Sequence, residues 1–189
     1  MTRIAVVAGV VLGVLSRVEE TASGFSAGAS ANATWLGVAF AVGVLHRRAS
    51  PLRAGGAGAL ALTAANAAYY AWIAASEPGV PLASVAGSPV VWLVLGIGGG
   101  AVFATAGHVW VRAGGMTRVL ASLPLAGVCI VEGISALLGG PVTDAPALAL
   151  GAVLPIVSGA DAHARWLGAA LSAGAIAVAL TGRLEALMP

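Results

Sequence analysis

The chain has 189 residues, of which 59% are hydrophobic and only 8% charged, with a mean hydropathy of +0.99 and a formal net charge of +2. A soluble domain carries roughly 25% charged residues, so this chain cannot clothe a water-exposed surface, and its small net charge argues against nucleic acid as a partner. The lone Cys129 excludes an intrachain disulfide or a thiolate metal set, and the length fits one integral membrane domain, residues 1–189.

A helix needs about 20 apolar residues to cross about 30 Å of hydrocarbon. On that measure the fold class is all-α, a polytopic transmembrane helix bundle of about seven spans. The first span covers roughly residues 3–20, with Gly9 and Gly13 forming a GxxxG face for close helix approach. Arg3, the apolar run Ile4 to Leu15 and the small residues Ala29, Ser30 and Ala31 also resemble a signal peptide. A retained first helix explains both the run and its glycines. The second span takes roughly 32–46, and the third roughly 54–76 after the breaker Ser50-Pro51. Glu77-Pro78-Gly79 closes the third, and the fourth follows over roughly 89–111. Within it Gly98, Gly99 and Gly100, with Ala104 and Gly107, make a small-residue face suited to helix contact. Gly114-Gly115 precedes the fifth span, roughly 118–138, and Gly139-Gly140-Pro141 ends it. The sixth, roughly 146–160, is short, with Pro146 at its start and Pro155 inside; re-entrant, it would leave six crossings. The seventh runs over roughly 164–182.

Arginine placement orients these spans. Arg3 precedes the first, while Arg47, Arg48 and Arg53, then Arg112 and Arg118, then Arg165 fall in alternate connections. Seven crossings put all of them on the cytoplasmic side and leave Glu19, Glu20, Glu77 and Asp144 outside, with Arg17 and Arg183 as exceptions. Trp35, Trp72 and Trp92 then fall near the outer interface, and Trp110 and Trp166 near the inner one. The expected localisation is the cell membrane, multi-pass, with the N-terminus cytoplasmic.

The stretch Ala31-Asn32-Ala33-Thr34-Trp35, with Val38-Ala39-Phe40 and Gly43 after it, reads as a family signature. So do Ala68-Tyr69-Tyr70, Val91-Trp92 with Gly98 to Gly100, Trp110 to Arg112, and Glu132-Gly133. Together they resemble a family of actinobacterial multi-spanning membrane proteins catalogued only as a domain of unknown function. The resemblance runs from about Gly13 to Leu138 and departs from the family pattern at two places. Asn32-Ala33 stands where an Asn-Ser pair is expected, and Arg17 to Glu20 where a glutamine-like end to the first span is expected. It implies a membrane protein in a bacterial setting and brings no activity with it.

Six residues stand out as a candidate substrate-binding set: Glu132, Tyr69, Tyr70, Asn66, Asn32 and Arg17. A carboxyl deep in a span costs about 2.5–3.5 kcal/mol on insertion scales, so Glu132 should face the bundle interior, as a proton or cation site or as a helix-to-helix tie. Asn66, Tyr69, Tyr70 and Ile73 share a face by their i, i+3, i+4, i+7 spacing. Asn32 and Thr34 open the second span from the same side, and Arg17 and Glu20 close the first. Glu20, three residues along, is the nearer partner for Arg17. An outward-facing polar pocket would need such a set, and so would helix-locking hydrogen bonds worth about 0.6 kcal/mol each. His108, one turn from Arg112, reads as an interfacial histidine; Asp161 and His163 bracket a short polar connection.

Gly133-Ile134-Ser135-Ala136 with His163 resembles the serine–histidine dyad of rhomboid-type intramembrane proteases. Ala136 replaces that motif's glycine, however, and the topology puts Ser135 and His163 on opposite sides. No nucleophile–base pair, metal set or cofactor motif is otherwise legible. The expectation is therefore a small-solute binding or transport bundle centred on Glu132. The alternative is a non-catalytic structural or accessory membrane protein. Expected partners are the lipid bilayer, a small-molecule solute, and a second copy or a partner membrane subunit.

Overall fold

Alanine is the commonest residue in the segments between the glycine and proline breakers, and it is the strongest helix former. The computed structural model accordingly turns each of them into a helix. It describes residues 2–23, 31–76, 79, 89–138 and 145–187, with side chains described except at 20–23, 31, 145–146 and 181–187. The described elements are α1 (Thr2–Ser23), α2 (Ala31–Leu45), α3 (Pro51–Ser76), α4 (Pro89–Arg112), α5 (Gly115–Leu137), α6 (Ala145–Ser158) and α7 (Ala162–Leu187), with no strand among the described residues. Ala29, Ser30, Glu77, Pro78, Gly139, Gly140, Pro141 and Asp144 lie outside the described residues, as do the side chains of Glu20, Pro146 and Arg183.

The helices group into two compact units, Met1–His108 and Val109–Pro189. In the first unit α1 lies along α3, and α2 contacts both. Gly9 and Gly13 explain the α1–α3 contact: a Cβ on either would run into the carbonyl oxygen of Ala61 or Ala65. Only glycine lets the two backbones approach so closely. The same device joins α3 to α4, where Gly58 and Gly100 face each other's carbonyls, and α2 to α4, where Gly43 meets the Ala104 carbonyl and Gly107 that of Phe40. Of the three consecutive glycines in α4, Gly100 makes such a contact, Gly99 touches Leu36, and Gly98 faces open space.

The turn from α2 to α3 is built locally. His46 N–H is shared between the carbonyls of Val42 and Gly43, and Ala49 N–H returns to the His46 carbonyl. Pro51 then starts α3, where a missing N–H costs nothing, and the Ser50 hydroxyl accepts the Arg53 N–H at 3.3 Å.

In the second unit α5, α6 and α7 contact one another pairwise. Gly133 sits against the backbone of Leu148, Gly151 against the Ala126 carbonyl, and Gly168 against the Pro155 carbonyl. Gly115 takes a left-handed conformation, φ 51°, at the start of α5, which glycine adopts without strain. Pro124 and Pro155 lie inside α5 and α6. Each removes one backbone donor from its helix.

Among the described residues, three helices are long and apolar enough to cross a membrane: α4, α5, and residues Ala162–Leu180 of α7. This narrows the expectation of about seven spans, and the reasons are physical. The apolar parts of α2 (Asn32–Leu45) and α6 (Ala147–Ser158) are shorter. At 1.5 Å per residue, α2 reaches about 22 Å and α6 about 21 Å, short of the roughly 30 Å hydrocarbon layer. α1 has the length but carries Arg3, Arg17 and Glu19, and α3 mixes alanine and glycine with Asn66, Tyr69 and Tyr70. The surface of α4 is strongly apolar, with Val90, Val91, Leu93, Val94, Leu95, Ile97 and Val102 all exposed.

Candidate functional site

Ser16, Trp35, Tyr69 and Tyr70 meet where α1, α2 and α3 come together. Ser16 of α1 accepts the Trp35 indole N–H at 2.9 Å. The Trp35 ring stands edge-on to Tyr69, with centroids 6.4 Å apart and planes at 73°. Tyr69 in turn meets Tyr70 at 5.3 Å and 87°. Both pairs have the edge-to-face arrangement that ring quadrupoles favour. Position in α3 explains the rest: one turn below Tyr69 and Tyr70, Asn66 is buried, and one turn above them Ile73 is buried completely. The shared helical face expected from their spacing is thus present, apolar at Ile73 and polar at Asn66.

Asn66 spends its amide N–H groups on backbone. Nδ2 donates to the Leu62 carbonyl at 3.1 Å on its own helix and to the Trp92 carbonyl at 3.4 Å on α4. Its side-chain oxygen is left to accept a further hydrogen bond. Asn32 and Thr34 are both exposed, and Arg17 is half-buried. Its expected pairing with Glu20 involves a side chain outside the described residues. Two members of this cluster were not in the sequence-derived set: Ser16, whose only signal is a lone hydroxyl in an apolar run, and Trp35, read there as an interfacial belt residue.

Glu132 belongs to the second unit. It sits half-buried on α5, with Oε1 shielded from solvent, one turn from the buried Cys129 and beside Gly133, the contact point with α6. Ser135 lies on the same helix and donates its hydroxyl to the Val131 carbonyl at 2.8 Å. That ties the hydroxyl to its own helix, and His163 is exposed at the start of α7. Asp161 caps α7, its Oδ1 accepting the Ala164 N–H at 2.8 Å. Nearby, the Trp110 indole donates to the Ser158 hydroxyl at 2.7 Å, and the Arg118 guanidinium lies 4.4 Å from the Trp110 ring centroid.

His108, expected from the sequence to be an interfacial histidine, is buried within the first unit. It is 3% exposed, and its Nδ1 lies 3.2 Å from the His46 carbonyl. His46 is buried too, with Nδ1 2.8 Å from the Val42 carbonyl. A carbonyl can only accept, so both Nδ1 atoms carry the proton. These contacts hold the last turn of α2 against α4. Sequence reasoning missed His46 because its bond to His108 spans 62 positions. Among the described residues no group of three or more His, Cys, Asp or Glu could hold a metal ion.

No curated protein and no solved structure matches the chain. A family model described as a family of unknown function, DUF6518, matches residues 2–187. That match covers nearly the whole chain, and the protein belongs to this family of unknown function.

Proposed function

We infer that the chain is a cell-membrane protein, one integral domain crossing the bilayer about seven times, that binds or moves a small solute. The observation that carries this reading is the aromatic and polar set in the first unit, Ser16, Trp35, Tyr69, Tyr70 and Asn66, within helices made otherwise of small apolar residues. Polar side chains in such helices are costly and mark ligand or ion pathways more often than they do in soluble proteins. Tyrosine faces and hydroxyls, with an amide oxygen beside them, suit a small polar or cationic solute. Glu132 supplies the protonatable group of the same function, and Asn32 and Arg17 belong to the set as outer polar groups. The bacterial, actinobacterial setting implied by the family signature goes with this reading.

The test is a thermal-shift screen of the detergent-purified full chain against small metabolites and cations, with Tyr69→Phe and Glu132→Gln alongside. A ligand at a hundred times its Kd stabilises by about 2.7 kcal/mol. For a chain of this size that amounts to a rise of roughly 5–11 °C. The reading expects such a rise for at least one solute class, and its loss in one or both variants. A screen with no response in the wild-type chain, and variants that merely melt lower, would favour the accessory reading. One observation favours that reading: Asn66, Ser122 and Ser135 all donate to backbone carbonyls of their own helices.

A further inference from the structure

The helix contacts of the second unit leave open a groove of about 430 Å³ where α6 turns into α7. That volume lies within the roughly 300–1,000 Å³ typical of small-molecule sites. Ile156, Ala160 and Ala169 give it an apolar lining, Asp161 and Arg165 bring one charge of each sign, and Trp166 adds an aromatic ring. The corner holds these groups in place. Gly168 brings α7 against the Pro155 carbonyl, and Gly159 lies against the backbone of Arg165. Asp161 is fixed by its cap to Ala164 N–H, and Arg165 Nε donates to the Gly159 carbonyl at 3.2 Å. Both bonds go to backbone, and among the described residues no ion pair joins the two charges. The guanidinium therefore keeps its outer N–H donors for another acceptor. Trp166 is 76% exposed, the most exposed of the tryptophans whose exposure is resolved. Indole rings take up such positions at the headgroup level of a bilayer, with the apolar body in lipid and the N–H wet.

We propose that this groove seats the headgroup of a zwitterionic phospholipid, its phosphate on Arg165 and its ammonium against Asp161 and Trp166. Charge complementarity selects the occupant. A guanidinium binds phosphate oxygens through charge-assisted hydrogen bonds. An ammonium is attracted both by a carboxylate and by the face of an indole. The apolar lining then receives the start of an acyl chain. A purely anionic headgroup would satisfy Arg165 but meet Asp161 with like charge. The proposal rests on the membrane reading and is independent of solute binding at the tyrosines.

Native mass spectrometry of the detergent-solubilised full chain tests it, comparing phosphatidylethanolamine with phosphatidylglycerol of the same acyl chains. One charge-assisted contact is worth about 10- to 100-fold in affinity. The wild-type chain should retain phosphatidylethanolamine about tenfold more tightly, within that range. Arg165→Gln should weaken both lipids. Asp161→Asn keeps an oxygen for the Ala164 cap and should abolish the preference while leaving phosphatidylglycerol binding equal or stronger. Trp166→Leu, at an exposed position, leaves folding intact and should weaken phosphatidylethanolamine alone. Equal retention of both lipids by the wild-type chain, or a preference that survives Asp161→Asn, would overturn the proposal. Soluble phosphoethanolamine binding as tightly as the lipid would overturn the choice of a lipid occupant. Recovery of the chain from cells without detergent would sink the membrane reading and this site together. A detergent-dependent chain that treats the two lipids alike would sink this site only.

Discussion

Gly13→Ala should destabilise the first unit by about 1–3 kcal/mol, the range for overpacking a contact that cannot relax. A Cβ at Gly13 would collide with the Ala65 carbonyl oxygen and lie 3.0 Å from its carbon and 3.1 Å from its Cα. Unstrained carbon contacts lie at about 3.5–4.0 Å, and atoms inside a helix backbone cannot swing aside as a side chain can. α1 and α3 would have to separate by roughly half an ångström or more, loosening contacts along the whole seam that Gly9 shares. Gly56→Ala makes the same chemical change on α3, where nothing lies within 4 Å of the new Cβ. There the alanine should stabilise by up to about 1 kcal/mol through helix propensity. The two variants should therefore melt in opposite directions from the wild-type chain. At about 2–4 °C per kcal/mol for a chain of this length, the gap is readable by circular dichroism of the full chain in detergent. Equal shifts of the same sign would refute the reasoning, because helix propensity and not backbone contact would then govern both sites.

Four further expectations concern polar contacts. Asn66→Ala removes two bonds to backbone carbonyls, at about 0.6 kcal/mol each in a membrane setting, and should lower Tm by roughly 2–5 °C; an unchanged Tm would mean the bonds contribute nothing net. Trp110→Phe deletes the N–H donated to Ser158 and should cost about 1 kcal/mol, and Arg118→Gln should cost about 0.5–1 kcal/mol through the lost ring contact. Thermal melts of both variants check this, and an Arg118→Gln chain as stable as the wild type would discount the cation–π contact. His108→Leu removes the donor to the His46 carbonyl, so amide exchange across residues 46–49 should speed up while α5 is unaffected; unchanged exchange there would show that the turn holds itself.

Helix positions were legible because their punctuation is chemical. Ser50-Pro51 marks a start that needs no backbone donor, and Gly114-Gly115 a turn that uses a left-handed glycine, so the boundaries expected for the third, fourth and fifth segments fall within a few residues of α3, α4 and α5. Gly9 and Gly13 were legible as a contact face because GxxxG has a steric meaning independent of the partner. The partner was not: nothing local says that α1 lies along α3 and not first against its chain neighbour α2. The number of crossings was read from apolar length, breakers and arginine placement, which counted the 14-residue α6 and the tyrosine-bearing α3 alongside α4 and α5. At the candidate site, the spacing of Asn66, Tyr69 and Tyr70 on one helix was readable, since it depends only on the helical repeat. Ser16 with Trp35, and His46 with His108, were not, because each pairing joins different helices.

Sided labelling of single cysteines tests the membrane topology, on which the rest of the account depends. In a Cys129→Ala background, Ser50→Cys, Gly114→Cys and Ala160→Cys place thiols in alternate connections, and Ser76→Cys places one at the far end of α3; all four positions are exposed. With about seven crossings, a membrane-impermeant maleimide added to intact cells should label position 76 alone, and positions 50, 114 and 160 only after the membrane is opened. Labelling of all four from outside, or of none until the membrane is opened, would contradict the topology. Labelling of 76 and 160 together from outside would leave six crossings, with α6 returning to the side it came from.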